Sequence, residues 1–278
     1  MMASETLTAF LDRNPDVIAV RLNRVQGSCP REAGAEMLVA ADDCLGTIGG
    51  GQLEYMVIDA ARAMLAREET ARDMDIPLGP EIGQCCGGRV GVALRRLTAE
   101  GRRAALKAAD RRAALLPHVY VLGAGHVGRA LARLLEYLPV RTIVVDSRAE
   151  ELMLCTEGVE LRRSAMPEAD IAQAPAGSAF VVLTHDHALD FLLTAQALAR
   201  GDAAYVGMIG SATKRGRFRA WCRNHCDGQP TDALVCPIGA SASRDKRPEV
   251  IAAFVAAEVV AALTCDVHQT TPVPFMTA

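Results

Sequence analysis

Hydrophobic and polar positions follow different patterns in the two parts of the chain. In the first part, a segment with apolar residues every three or four positions (52–69) predicts a helix, and it lies among strand-like segments at 16–25, 35–42 and 89–97. From residue 118 to residue 264, apolar segments of strand length alternate with helical ones. Continuous apolar strands that alternate with helices are typical of a parallel sheet covered on both faces.

A basic, alanine-rich segment separates these two parts. Residues 95–116 read RRLTAEGRRAALKAADRRAALL and contain few turn signals, which predicts an exposed connecting helix. We therefore expect a smaller N-terminal α/β domain at 1–98, a connecting helix at 99–116 and a C-terminal domain at 117–278.

Composition argues against several classes of function. A net charge of -3 over 278 residues offers no electrostatic basis for binding nucleic acid or an anionic membrane. No apolar run approaches the roughly 18 residues of a membrane span. The nine cysteines are scattered, and the N-terminal segment lacks the features of a signal peptide, so we expect reduced thiols in the cytoplasm.

A glycine-rich turn follows the first strand of the C-terminal domain. Gly123-Ala-Gly125-His126-Val-Gly128 stands between a strand and a helix, and Asp146 ends the next strand. In this context the three glycines allow a tight turn, a close approach of the backbone to a ligand, and close packing of the helix on the strand. The acidic residue at the end of the next strand accepts a hydrogen bond from a ribose hydroxyl. The pattern predicts a Rossmann-type doubly wound sheet. It leaves open whether the turn binds a nucleotide such as NAD(P) or is only a scaffold.

Polar residues stand where a later strand ends. Thr184-His185-Asp186-His187 follows an apolar strand, at the edge where such sheets place ligands. The imidazoles of His185 and His187 are candidates for acid–base chemistry or metal binding, which would suit an NAD(P)-dependent oxidoreductase. The alternative is a polar loop without a chemical role.

Adjacent cysteines occur in the stretch GQCCGGR at 83–89. Cys85 and Cys86 are poorly placed for a mutual disulfide, because adjacent cysteines form a strained bridge. They are either exposed reactive thiols or small apolar residues at a turn. A further set, Cys222, His225 and Cys226, lies on one helical face, but its spacing is not that of a standard zinc finger.

Several blocks together resemble the xanthine dehydrogenase accessory proteins of the XdhC/CoxI family. In chain order they are GSCPREAG (27–34), GTIGGGQLE (46–54), QCCGG (84–88), GAGHVG (123–128), VDSR (145–148), THDH with Asp190, VGMIGS with Lys214, and PIG (237–239). The resemblance spans about residues 15 to 262. Cys29 and Cys236 depart from it, since the family more often has hydroxyl residues there.

The resemblance implies a binding and transfer protein rather than a stand-alone enzyme. Such proteins bind the molybdenum cofactor (molybdopterin), support its sulfuration with a cysteine desulfurase, and deliver it to a xanthine dehydrogenase-type molybdenum hydroxylase of purine catabolism. It also implies a homodimer in the cytoplasm. The alternatives are the NAD(P)-dependent oxidoreductase and a purely structural assembly factor that binds no small ligand.

The cofactor carries a phosphate, a pterin and a metal, and the resembling blocks contain residue types that suit each. Cys86, and less strongly Cys85, is the candidate for carrying sulfur or contacting molybdenum. Helix-starting glycines, cations and polar groups suit the phosphate and the pterin. The candidate cofactor-binding residues are Arg31, Gly49, Gly50, Gly51, Glu54, Gly123, Gly125, His126, Gly128, Asp146, His185, Asp186, His187 and Lys214.

Overall fold

A computed structural model describes residues 4–79, 87–156, 158–240 and 245–264. These residues divide into two compact units, and the boundary falls between Leu115 and Leu116. Within the described ranges, no helix has the length and apolar character needed to cross a membrane.

The first unit is built on an antiparallel sheet. Its described elements, in chain order, are α1 (Ser4–Arg13), β1 (Ile18–Gln26), β2 (Glu36–Val39), β3 (Cys44–Gly46), α2 (Gly51–Ala66), β4 (Ala71–Leu78), β5 (Gly88–Arg96) and α3 (Ala99–Ala114). The strands are ordered β3-β2-β1-β5-β4, and each neighbouring pair runs antiparallel. A short loop joins the neighbours β2 and β3, whereas α2 connects β3 to β4 at the other edge of the sheet.

Helices cover both faces of this sheet, as the alternating side chains of β1 show. Ile18, Val20 and Leu22 are buried in the cluster that includes the apolar face of α2. Ala19 points the other way, into a cluster built with α1 and α3. Successive side chains of a strand point to opposite faces, so a strand buried on both sides reads as a continuous apolar run.

The predicted connecting helix is less exposed than the sequence suggested. Thr98 caps α3, its hydroxyl accepting from the Gly101 N–H at 3.0 Å. Ala105 and Ala109, one turn apart, are buried against α1. This helix therefore packs within the first unit. Arg102 contributes to the packed face, because its guanidinium donates to the carbonyl oxygens of Leu11 and Asn14 at 2.9 and 2.6 Å.

The strand β4 has no counterpart in the sequence-based prediction. It lies at the edge of the sheet, paired only with β5 among the described strands. Its residues are ARDMDIPL, with charges and a proline, and only Ile76 and Leu78 are buried. Edge strands often carry such residues because they discourage pairing with other chains, and the same residues hide the strand from pattern reading.

The second unit is a parallel sheet with helices on both faces. Its described elements, in chain order, are β6 (His118–Leu122), α4 (His126–Leu135), β7 (Arg141–Asp146), α5 (Ala149–Leu152), β8 (Glu160–Arg163), α6 (Pro167–Gln173), β9 (Ala179–Val182), α7 (His187–Ala199), β10 (Tyr205–Met208), α8 (Ala212–His225), β11 (Leu234–Val235) and α9 (Pro248–Thr264). All neighbouring strands are parallel, in the order β11-β10-β9-β6-β7-β8.

This strand order confirms the predicted doubly wound sheet. Numbered within the unit, it reads 6-5-4-1-2-3, which is the Rossmann order. Val119 and Val121 of β6 pack with α4 and α9, whereas Tyr120 and Leu122 face the α6, α7 and α8 side. The chain reverses its winding direction between β6 and β9, and ligands of such sheets bind outside the carboxyl ends of the strands at this position.

Candidate functional site

The glycine turn after β6 is shaped mainly by packing. Gly123 has φ +128°, and a β-carbon there would lie 2.4 Å from the carbonyl oxygen of Leu183. A β-carbon on Gly128 would lie 2.0 Å from the carbonyl oxygen of Gly123. Gly125 differs, because a β-carbon there would meet nothing within 4 Å. It precedes α4 without a side-chain cap, and the exposed His126 follows it.

Asp146 joins the end of β7 to this turn. Its Oδ2 accepts from the Ala124 N–H at 2.8 Å, and both carboxylate oxygens accept from the Arg148 side chain at 2.8 and 3.0 Å. Burial alone would raise the pKa of Asp146, but the hydrogen bonds from Arg148 and Ala124 outweigh it and lower the pKa to about 2. The carboxylate thus already has internal partners at the place where a ribose would bind.

A cavity of about 120 Å³ adjoins this carboxylate. Gly123, Asp146, Ser147 and Ser164 contribute to its wall, together with His185. Its position beside the glycine turn is that of a nucleotide's ribose in a Rossmann domain.

A larger cavity lies at the carboxyl ends of β9 and β10. Its volume is about 510 Å³, within the usual range for small-molecule sites. The residues that line it come from the loops after these strands and from the helices α7 and α8: Thr184, His185, His187, Phe191, Ile209, Gly210, Ser211, Thr213, Lys214 and Arg217. The structure therefore brings together three of the sequence-predicted residues, His185, His187 and Lys214.

Asp186 has a structural role in the same loop. Its carboxylate caps α7, accepting from the N–H groups of Ala188 at 2.7 Å and Leu189 at 3.3 Å. These backbone hydrogen bonds lower its pKa. Asp186 is not among the residues that line the larger cavity.

A buried carboxylate supports the wall of the larger cavity. Asp190 is completely buried, and its Oδ1 accepts from the Thr184 N–H at 2.9 Å and the Thr184 hydroxyl at 2.7 Å. Its Oδ2 accepts from the Lys214 ammonium at 2.5 Å. The side chain of Lys214 is 12% exposed, so this ion pair is largely shielded from water. Asp190 thereby fixes the loop after β9 to helix α8.

In the first unit, the triglycine loop before α2 is closed by an internal carboxylate. The Glu54 Oε2 accepts from the Thr47 hydroxyl at 2.5 Å, the Ile48 N–H at 3.0 Å and the Gly50 N–H at 3.1 Å. The Gly49 N–H donates to the Thr47 hydroxyl at 3.1 Å. Burial would raise the pKa of Glu54, but these hydrogen bonds outweigh it and lower the pKa. The N–H groups of Gly49 and Gly50 are therefore engaged within the loop, and Glu54 takes the place expected for a phosphate.

The loops that carry the first and second motif blocks lie against each other. A β-carbon on Gly49 would be 2.9 Å from the Pro30 β-carbon and 3.5 Å from the Arg31 γ-carbon. Arg31 is exposed, as is Gly51 at the start of α2. The structure thus places Arg31 beside the triglycine loop.

The QCCGG block is only partly described. Cys85 and Cys86 lie outside the described residues. The block's last glycine, Gly88, lies so close to the first motif that a β-carbon on it would be 2.3 Å from the Ser28 carbonyl oxygen. Gly87 is bridged to Ser28 as well.

The cysteines of α8 do not form a metal site in the part of the chain that the structure describes. There, no group of three or more His, Cys, Asp or Glu residues could hold a metal ion. Cys222 is buried in the core, where burial and the nearby Cys226 raise its pKa to about 11. The His225 ring stacks on Trp221, with centroids 5.3 Å apart.

Comparison with known proteins matches parts of both units to family models. The family model described as "XdhC Rossmann domain" matches residues 119–259, which is about half of the chain, and that described as "XdhC and CoxI family" matches residues 11–74. The chain belongs to the XdhC and CoxI family. The predicted resemblance is thereby confirmed for this XdhC-type chain.

Two similar proteins extend the comparison. An Escherichia coli (strain K12) protein described as the uncharacterized protein YqeB is 32% identical over 131 residues, covering 46% of this chain but only 21% of that protein. A solved structure from Bacillus halodurans, described as a xanthine dehydrogenase, superimposes with a TM-score of 0.81 and covers 98% of both chains. At 18% identity, this second similarity shows a shared fold.

Sequence reasoning missed three features of this XdhC-type site. Arg148 as the partner of Asp146, and Phe191 and Arg217 as cavity residues, were not among the candidates. Arg217 had a detectable signal, because it follows Lys214 by three positions and so shares its helix face. Arg148 also had a local signal, because it stands only two positions after Asp146. Phe191 depends on which loops and helices the sheet brings together.

Proposed function

We propose that this protein binds the molybdenum cofactor as cargo and serves the maturation of a xanthine dehydrogenase-type molybdenum hydroxylase. Membership of the XdhC and CoxI family supports a role in that maturation. The geometric observation that carries cofactor binding is the cavity of about 510 Å³ at the carboxyl ends of β9 and β10. Both apolar and cationic side chains line it.

The residues of this cavity suit an anionic heterocycle. Phe191 and Ile209 offer apolar surface to a ring system, and Lys214 and Arg217 offer positive charge. His185 supplies ring nitrogens that can bond to the polar edge of a pterin. The cofactor combines these properties, since it joins a fused heterocycle to a phosphate.

Further steps of the proposal rest on the resemblance. Cys86, with Cys85 as the weaker candidate, would carry sulfur or contact the molybdenum of the cargo, because a thiolate is a soft ligand and a nucleophile. A cysteine desulfurase would supply the sulfur, and the loaded protein would act as a homodimer in the cytoplasm.

The first experiment measures the cargo directly. The protein is purified from cells that make the cofactor, and bound pterin is oxidised and quantified by its fluorescence per mole of chain. We expect wild type to carry pterin and Cys86→Ala to carry less, while Cys85→Ala serves as the matched control. Wild type without pterin contradicts cofactor binding. Retention by Cys86→Ala equal to that of wild type contradicts only the assignment of Cys86.

The second experiment measures the consequence for the partner. The hydroxylase is produced with and without this protein, and its activity is compared with its content of sulfurated cofactor. We expect both to fall when the protein is absent. Equal sulfuration in its absence contradicts the maturation role.

An NAD(P)-dependent oxidoreductase is the second candidate. The open space above Gly125 and the uncapped start of α4 favour it, because a dinucleotide's pyrophosphate binds at that position in Rossmann domains. The Asp146–Arg148 pair argues against it, since a ribose would compete with Arg148 for the carboxylate. Titration with NAD(H) and NADP(H) tests it: micromolar binding with turnover of a small alcohol or imine would favour the enzyme. Partner binding without any small ligand would instead indicate a structural assembly factor.

A further inference from the structure

The cavity-facing side of α8 carries two cations in different environments. Lys214 is neutralised by Asp190, which is completely buried behind it. Arg217 lies one turn further along the helix and also lines the cavity. Among the described residues, no carboxylate forms an ion pair or hydrogen bond with Arg217.

The remaining lining groups add hydrogen-bond donors and no competing negative charge. Of the described residues that line the cavity, none is acidic. Ser211 and Thr213 contribute hydroxyl groups beside the two cations. The Ser211 Oγ accepts from the Lys214 N–H at 3.2 Å, which leaves its hydroxyl proton available to a ligand.

We propose that Arg217 is the principal contact for a phosphate monoester in this cavity, assisted by Lys214, Ser211 and Thr213. A guanidinium offers several N–H groups in a planar arrangement that matches two phosphate oxygens at once. Lys214 shares its charge with Asp190, so its attraction for a further anion is weaker. Lys214, Ser211 and Thr213 add further donors, and a phosphate monoester offers them three terminal oxygens where a carboxylate offers two.

Apolar lining residues suit the rest of such a ligand. Phe191 and Ile209 line the same cavity as Lys214 and Arg217. A ligand with a ring at one end and a phosphate at the other can use both kinds of group. The inference rests on the proposed function for the identity of that ligand, the molybdenum cofactor, but the phosphate chemistry rests on the cavity itself.

Trp221 provides a local probe for the experiment. It is the only tryptophan of the chain and lies on α8, one turn after Arg217. Its ring centroid is 5.8 Å from that of Phe191, which lines the cavity. Ligand binding in the cavity therefore changes the surroundings of the indole indirectly.

The test compares Arg217→Gln with Arg219→Gln, using ribose 5-phosphate as the probe and ribose as the uncharged control. Arg219 is on the same helix and does not line the cavity, and a carboxylate oxygen of the exposed Asp232 lies 4.0 Å from its guanidinium. Binding is measured by calorimetry and by Trp221 fluorescence. We expect Arg217→Gln to weaken ribose 5-phosphate binding about tenfold, because a charge-assisted hydrogen bond contributes that much. Arg217→Lys should fall between wild type and Arg217→Gln.

The outcomes separate this inference from the proposed function. No ribose 5-phosphate binding by wild type, binding equal to that of ribose, or equal weakening by the Arg217 and Arg219 substitutions overturns the inference. If wild type then still carries pterin, the proposed function stands without it. If wild type carries no pterin but ribose 5-phosphate binding depends on Arg217, the phosphate site is supported and the cofactor role fails.

Discussion

Replacing Asp146 with asparagine tests how the Rossmann turn is held. Asp146 is 8% exposed, and its pKa is lowered from 3.8 to about 2. Each pKa unit corresponds to about 1.36 kcal/mol, so the ionised carboxylate contributes about 2 kcal/mol to the free energy of unfolding at neutral pH. Asp146→Asn removes this charge and sets an amide against the Arg148 guanidinium. We expect the variant to be about 2 kcal/mol less stable at pH 7.

The pH dependence of this difference follows from the direction of the pKa change. Because the pKa of Asp146 is lower in the folded state, its contribution is present above pH 4 and is lost as the pH falls towards 2. At pH 3 about half of it remains, so the stability difference between wild type and Asp146→Asn should shrink to about 1 kcal/mol.

Urea unfolding followed by Trp221 fluorescence is a suitable assay, because this single tryptophan lies in the same unit as Asp146. Asp202→Asn is the control: it removes an aspartate of the same unit whose side chain is 41% exposed and pairs with Arg200. Such surface pairs contribute less than about 1 kcal/mol. A difference for Asp146→Asn that stays constant from pH 7 to pH 3, or equals that of the control, would refute the reasoning.

Three further predictions concern neighbouring contacts. Gly128→Ala should destabilise the protein by about 1–3 kcal/mol or more, whereas Gly125→Ala should change stability little, as measured by urea unfolding; equal losses would contradict the assigned packing roles. Asp190→Asn leaves Lys214 without its buried counter-ion and should cost about 3 kcal/mol, and a double-mutant cycle with Lys214→Met should show that the two effects are not additive. Glu54→Gln should lower the free energy of unfolding by about 1 kcal/mol, because an amide oxygen accepts more weakly from the N–H groups of the triglycine loop. Amide hydrogen exchange in that loop should become faster. Unchanged exchange would contradict the role of Glu54 in holding the loop.

The sequence was most informative where a local pattern carries its own physical constraint. The alternation of apolar strands and helices after residue 118 identified the parallel sheet, because buried strands need apolar residues on both faces. The glycine spacing at Gly123 and Gly128 identified the turn, because the backbone contacts there exclude a β-carbon. Edge elements such as β4 were missed because their polar residues break the pattern.

Two of the candidate residues have internal partners that the sequence did not reveal. Glu54 was expected near a ligand, but its carboxylate fills the triglycine loop, since that loop's N–H groups lie within its reach in the folded chain. Asp186 was expected to bind a ligand, but it caps α7. A sequence shows which side chains can donate or accept hydrogen bonds. In the folded chain, a nearby internal group is often the partner instead of a ligand.

By itself, the sequence determined the parallel Rossmann sheet, its glycine turn and the resemblance to the XdhC and CoxI family, because these depend on short-range spacing along the chain. Only the tertiary structure decided that Asp146 accepts from the Ala124 N–H of the glycine turn, that Asp190 neutralises Lys214, and that Arg217 lines the same cavity as Lys214. Asp190 and Lys214 are 24 positions apart. Which charges remain available to a ligand depends on such long-range pairings, and these are set by the order of the strands in the sheet.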